Sequence, residues 1–200
     1  LNSPYSLHLD LRQSLDTLEK GMTSDVRRNI KKAGARNIQW KAGNDAVLVR
    51  ELLRLYDEML TIKGVDSFGD RHKKIPSLCA GRNALIFNAY LDNEAVSSCL
   101  VLRLGNKAMF RERATGYKGR GLGVSHALIY HLLEHLKKNG IEHLDLGGIG
   151  PHDPTLRGVN SFKLGFGGEL VEYMGEWEWS NAPWLRRAVN LAAWFKRILT

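Results

Sequence analysis

Three strand-like runs, Ala84 to Leu91, Ala95 to Leu104 and Lys107 to Ala114, are separated only by Asp92-Asn93-Glu94 and Gly105-Asn106. Connections that short favour antiparallel hairpins, so the middle of the chain is predicted to be a meander. Around it the periodicity changes. Tyr5, Leu7, Leu9 and Leu11 alternate as one face of a strand, and residues 37–42 read as another. Residues 14–33 read as helix, broken near Gly21 and restarted at Thr23 and Ser24. Asn44 or Asp45 opens a long helix striped by Leu48, Leu52, Leu55, Tyr56, Met59 and Leu60. Residues 124–139 form a further helix, followed by strands at 141–146 and near 170–179, and Pro183 opens a last helix. The charged stretch from Lys63 to Lys74 is predicted to be a loop, as is the glycine-rich 147–168. With no repeat or linker in sight, residues 1–200 are expected to form one α+β domain.

The formal charge of +8 is gathered into patches. Lys20, Arg27, Arg28, Lys31, Lys32, Arg36 and Lys41 face only Asp25 over residues 20–41. A second group comprises Arg103, Lys107, Arg111, Arg113, Lys118 and Arg120. Such patches attract phosphate, whether of nucleic acid, nucleotide or bilayer, or simply form a solvated face. Cys79 and Cys99 show no metal-ligand spacing and are expected to be reduced core thiols, which points to the cytoplasm. The chain opens on Leu1 rather than methionine, so its native N-terminus is expected to lie upstream.

Tyr117-Lys-Gly-Arg-Gly-Leu-Gly123 stands between a predicted strand and a predicted helix. Glycines there admit an anion to backbone N–H groups, and a helix start adds positive dipole character. The spacing is not that of a Walker loop. It resembles the Arg/Gln-x-x-Gly-x-Gly/Ala pyrophosphate loop of the GNAT superfamily, with Lys118 in first place. Lys118, Gly119, Arg120, Gly121 and Gly123 thus become donor-binding candidates, and acyl-CoA a candidate donor.

A more specific pattern is Asp145-Leu-Gly-Gly-Ile149, then Gly158-Val-Asn-Ser-Phe-Lys-Leu-Gly-Phe-Gly-Gly168, then Tyr173-Met-Gly-Glu176. It resembles the C-terminal signature of the FemABX family. Upstream, Arg27-Arg-Asn-Ile-Lys-Lys-Ala33 resembles that family's helix in the same order. The resemblance implies a GNAT-like fold, with a mixed, mostly antiparallel sheet and flanking helices. It also implies transfer of an aminoacyl group from aminoacyl-tRNA to an amine, with a peptidoglycan precursor as the leading acceptor class. No cofactor beyond the donor is implied. Lys163 would neutralise a donor phosphate or polarise the ester, Phe162 would stack on a base or sugar, and Gly147 and Gly148 would let backbone approach the donor. Asp145 is a catalytic candidate with an alternative role, organising the glycine turn after it. Arg27, Arg28, Lys31 and Lys32 form the candidate basic surface.

Other signals carry less. His131-Leu-Leu-Glu-His135 matches a zinc-protease pattern, but Leu128, Ile129, Leu132 and Leu136 are the stripe that helix must bury, so no metal is expected. His152 is a minor candidate for deprotonating an amine, and Tyr117 and Tyr173 for donating to an oxyanion. Residues 183–199 mix tryptophans with arginine and lysine. That helix either docks its apolar face on the domain or lies at the inner face of a membrane, as would suit a lipid-linked acceptor.

Overall fold

A computed structural model describes residues 4–64, 70–150, 153–174 and 183–198. The meander is there: β3 (Ala84–Leu91), β4 (Glu94–Leu104) and β5 (Lys107–Thr115) pair antiparallel in sequence order. They form the centre of a seven-stranded sheet with β1 (Tyr5–Asp10), β2 (Ile38–Gly43), β6 (His143–Ile149) and β7 (Glu169–Glu172), in the order β2-β3-β4-β5-β6-β1-β7. Only β5 and β6 run parallel.

Helices cover both faces. On one lie α2 (Ser24–Gly34) and α5 (Val124–Lys138), with α1 (Leu15–Gly21) ahead of them. Leu128, Ile129, Leu132 and Leu136 of α5 are fully buried with Leu7 and Leu9 of β1 and with Leu11 just after it. On the other face α3 (Ala46–Lys63) and α4 (Arg71–Cys79) bury Leu52, Leu55 and Ile75 against Ile86 and Leu100. Because β3 and β4 are sandwiched, nearly every residue in them is buried. Local capping sets the helix starts. Ser14 and Thr23 accept from Thr17 N and Val26 N, and the Asp45 carboxylate accepts from Val47 N and Leu48 N at 2.9 and 3.1 Å.

Two expected loops contain helix instead. The polar stretch after Lys63 already enters α4 at Arg71, where only Ile75 and Cys79, four apart, are buried. A two-residue apolar face is too short a period to read from sequence. The glycine-rich stretch contains α6 (Arg157–Leu164). Gly158 dilutes its helical signal, and its register is fixed from outside. The Asn160 amide bonds both backbone groups of Gly150, donating to its carbonyl at 2.7 Å and accepting from its N–H at 3.1 Å. The strand expected near 170–179 is β7, four residues long, and the remainder of that span from residue 175 lies outside the described residues.

Candidate functional site

β5 and β6 pair only through Lys107–His143, Ala108–Leu144 and Met109–Asp145. Beyond Met109, β5 continues to Thr115 on β4, and β6 continues to Ile149 on β1, without further pairing to each other. α6 lies across this opening. Its Phe162 turns to the β5 side: the Arg113 guanidinium carbon stands 3.9 Å from the ring centroid, and the His126 and Phe166 rings are at 4.8 and 5.3 Å. Its Lys163 turns to β6, where Nζ donates to the Gly148 carbonyl at 2.8 Å beside Gly147. Consecutive residues of one short helix thus address the two separated strands.

On the Phe162 side is a cavity of about 360 Å³. Its wall includes Gly119, Arg120, Gly121 and Gly123 of the turn, Val124, Ser125 and His126 of α5, Asn29 of α2, Lys63 of α3, and Arg113. The Gly119–Gly123 turn and Phe162 therefore share one groove. Hydroxyl contacts tie its parts together, Ser97 to Thr115 and Thr115 to Ser125, each at 2.8 Å. No side chain caps α5, which begins at Gly123 in the left-handed region, φ 78°. Its first-turn N–H groups lie on a wall that bears cations and, among the described residues, no carboxylate.

Of those cations Lys63 and Arg120 are exposed, whereas Arg113 is half-buried. Burial pushes its guanidinium down to about 10, and no described carboxylate stands within salt-bridge distance. Burial, and then the charge of Arg113, lowers the His126 imidazole as well. Lys163 is lowered too, first by burial and further by Arg113, with Asp145 opposing. A half-buried cationic cluster of this kind favours an incoming anion.

Several expected residues lie elsewhere. Lys118 is absent from the cavity wall: its ammonium pairs with Asp92 and Glu94, each at 3.3 Å, so its charge belongs to the β3–β4 turn. Arg120 remains exposed at the cavity. Gly147 and Gly148 lie against Lys163, outside that cavity. Asp145 does organise the glycine turn, accepting from Gly147 N at 2.7 Å, and also accepts from Ser6 Oγ. Of the basic surface, Arg27 caps the end of α1 through the Glu19, Lys20 and Met22 carbonyls, and Arg28 pairs with Asp25 at 2.8 Å. Lys31 and Lys32 are exposed on the last turn of α2. His131 bonds Glu134 and stacks on Trp40, while the His135 ring lies 5.5 Å from Phe87, so both histidines have packing roles. His152 lies outside the described residues. Sequence reading counted Arg113 in a basic patch but missed its place beside Phe162. Its only signal was a charge near the end of an otherwise half-buried strand.

A sheet whose one parallel pair comes apart beside a glycine turn and a helix N-terminus defines an acyl-transfer fold. A family model described as an acetyltransferase (GNAT) domain matches residues 20–164, and the chain belongs to that family of acyltransferases. Among solved structures it is similar to FemX, with 13% identity and a TM-score of 0.75 over 88% of this chain and 61% of that one. It is also similar to the C-terminal domain of a putative lysylphosphatidylglycerol synthetase from Agrobacterium fabrum, at 13% identity and TM-score 0.62 over 83% and 57% of the two chains. An aminoglycoside acetyltransferase from an uncultured soil metagenomic sample, in complex with sisomicin, matches at 15% identity and TM-score 0.51, over 72% of this chain and 97% of that one. The chain thus spans about three-fifths of the FemX chain. No curated protein sequence matches it. A FemABX-like GNAT fold is the common ground.

Proposed function

We propose that the chain moves an aminoacyl group from aminoacyl-tRNA to an amine, with a peptidoglycan precursor as the acceptor class. The observation that carries this reading is the pair Phe162–Lys163, held across the opening between β5 and β6 with a cationic cavity on one side. An activated ester needs alignment and a positive group where carbonyl oxygen becomes anionic. In the step, the amine nitrogen bonds to the carbonyl carbon, the carbon–oxygen bond to ribose breaks, and one proton passes from nitrogen to the leaving oxygen. Lys163 stabilises the oxyanion. Arg113, Arg120 and the α5 amides take the phosphate beside the donor's terminal base, and Phe162 bounds that base. Lys31 and Lys32 extend the positive surface along α2 toward a longer polyanion.

The site is proposed to work in the cytoplasm, at the inner membrane face when the acceptor is lipid-linked. That suits α7 (Pro183–Ile198), where Trp184, Leu185, Arg187, Val189, Leu191 and Trp194 are all exposed. Among the described residues no helix is long and apolar enough to cross a membrane.

A second reading, transfer from acyl-CoA, is favoured by the same cavity, because the glycine turn and the α5 N-terminus suit a pyrophosphate. One experiment separates the two. Charged tRNA should shift the protein in a gel with an affinity falling steeply with salt, while coenzyme A gives no protection against proteolysis. The reverse result replaces the tRNA reading with the acyl-CoA one.

A further inference from the structure

We infer that Tyr173, His8 and Asp145 form a proton relay for the transfer step, Tyr173 protonating the leaving oxygen and His8 returning the proton released by the amine. The inference rests on the acyl-transfer reading and adds acid–base groups to it.

The sheet order builds this cluster from three strands far apart in sequence. β1 lies between β6 and β7, so side chains on one face of β1 meet both neighbours. β1 presents Ser6 and His8, β6 presents Asp145, and Tyr173 follows β7, fixed by its N–H bond to the Pro4 carbonyl at 2.7 Å. His8 Nε2 stands 3.1 Å from the Tyr173 hydroxyl, and that hydroxyl donates to Asp145 Oδ2 at 3.5 Å. His8 Nε2 is 3.8 Å from the same carboxylate oxygen. Ser6 and Gly147 N hold the other oxygen, Oδ1, which leaves Oδ2 directed at the phenol and the imidazole.

Exposure is graded as a relay needs. The Asp145 side chain is 14% exposed and that of His8 37%, while Tyr173 as a residue is 46% exposed. The carboxylate is covered and its two proton-carrying partners reach solvent. Burial, then the Asp145 charge, raises the Tyr173 phenol, so it stays protonated at neutral pH and acts as an acid. Lys163 Nζ would stand 3.3 Å from a Cβ at Gly147, the residue whose N–H donates to the Asp145 carboxylate, so the cation and the carboxylate meet at one turn of β6. Other described charges near the cluster are Glu169, the register partner of His8 on β7, Asp10 farther along β1, and Arg113, which acts on Lys163.

The balance closes without another reactant. As the amine attacks and the bond from the carbonyl carbon to the leaving atom breaks (carbon–oxygen for a ribose ester, carbon–sulfur for a thioester), the phenol proton goes to that oxygen or sulfur. The amine proton passes to the His8 imidazole and from there to the Tyr173 phenolate. The Asp145 carboxylate, 3.8 Å from Nε2, stabilises the imidazole cation. A purely structural network locking β7 to β1 would share these contacts but not their effect on rate.

The test uses the whole chain, lysine amide as acceptor, and two donors in separate assays: bulk tRNA charged with radiolabelled amino acids, and acetyl-CoA. With the donor that wild type turns over, Tyr173→Phe is expected to lower kcat about 100-fold with KM within about twofold. His8→Gln is expected to lower kcat by a similar factor, again with KM within about twofold. Both variants are expected to keep the wild-type unfolding midpoint. Unchanged kcat in both, with wild type active, overturns the relay alone. Loss of kcat only in step with loss of thermal stability also overturns it, in favour of a structural network. Wild type inert toward both donors overturns the acyl-transfer reading and the relay with it.

Discussion

The two glycine-rich segments look alike in sequence, each crowding glycines around a cation, yet they do different work. In the turn before α5, Gly123 lies against α2 so closely that an added Cβ would stand 2.2 Å from the Asn29 carbonyl oxygen, while the Gly121 Cβ position is open space on the cavity wall. That segment packs at its ends and exposes backbone between them. In the stretch after α6, an added Cβ at Gly168 would stand 2.4 Å from the His8 carbonyl, and one at Gly167 2.7 Å from that of Gly21. Those glycines close the chain onto β1 and the end of α1. Phe162 and Lys163, the pair proposed to act on the donor, lie just before them, on α6. Glycine density therefore marks close backbone approach in both places, and a free anion-facing surface in only one.

The comparison breaks most sharply at Lys163. Lys163→Ala should lower transfer more than 100-fold, with the unfolding midpoint nearly unchanged, because the ammonium makes a single described hydrogen bond, to Gly148. Unimpaired turnover in that variant removes the lysine from the mechanism. The next effect is on stability and tells the segments apart. Gly168→Ala, at φ 95° with its Cβ against backbone, should cost about 2–4 kcal/mol. Gly121→Ala, at φ 71° with open space around it, should cost about 1 kcal/mol. Urea melts of the two variants measure the contrast, and equal costs would deny it.

What was legible in the sequence follows the same line. The meander, the α5 stripe and the break between α1 and α2 rest on periods and caps that act within a few residues, and each is in the structure. α4 and α6 were not legible, since α4 buries two residues and α6 is held by Asn160 on Gly150, a contact made only in three dimensions. The site divided likewise. Phe162 and the glycine turn, each assigned from sequence to the donor, line one groove. Lys118 looked free in one dimension because Asp92 and Glu94, its partners, come from the preceding hairpin. Arg113 needed the fold to become visible, for its neighbours Cys99, Phe162 and His126 come from three separate elements.

Arg113 offers a gain-and-loss test. A half-buried cation without a carboxylate partner costs the fold stability that a bound anion offsets. Arg113→Met should raise stability by about 1 kcal/mol in ligand-free protein, the relief of desolvation being partly cancelled by the lost contact with Phe162. The same change should weaken inorganic pyrophosphate binding, followed by calorimetry, about tenfold. A variant that is less stable and binds as before would make Arg113 a packing residue.

The smallest expected effect concerns the charge of Lys163 itself. Its ammonium loses its proton below the ordinary lysine value of 10.5, because burial disfavours the cation and Arg113 adds repulsion, while Asp145 works the other way. Charging Lys163 is thus less favourable in the folded protein than in the unfolded chain. The penalty is fully present below the folded value and fades as pH rises toward the unfolded one. Asp145→Asn removes the only opposing contribution and should move the Lys163 titration further to the acid side. Arg113→Met should move it back. Carbon-13 NMR of the lysine ε-carbons reads both directions without any turnover. Coincident titrations in wild type and both variants would mean that Lys163, although it lies between the two strands, is electrostatically independent of the groove on one side and the carboxylate on the other.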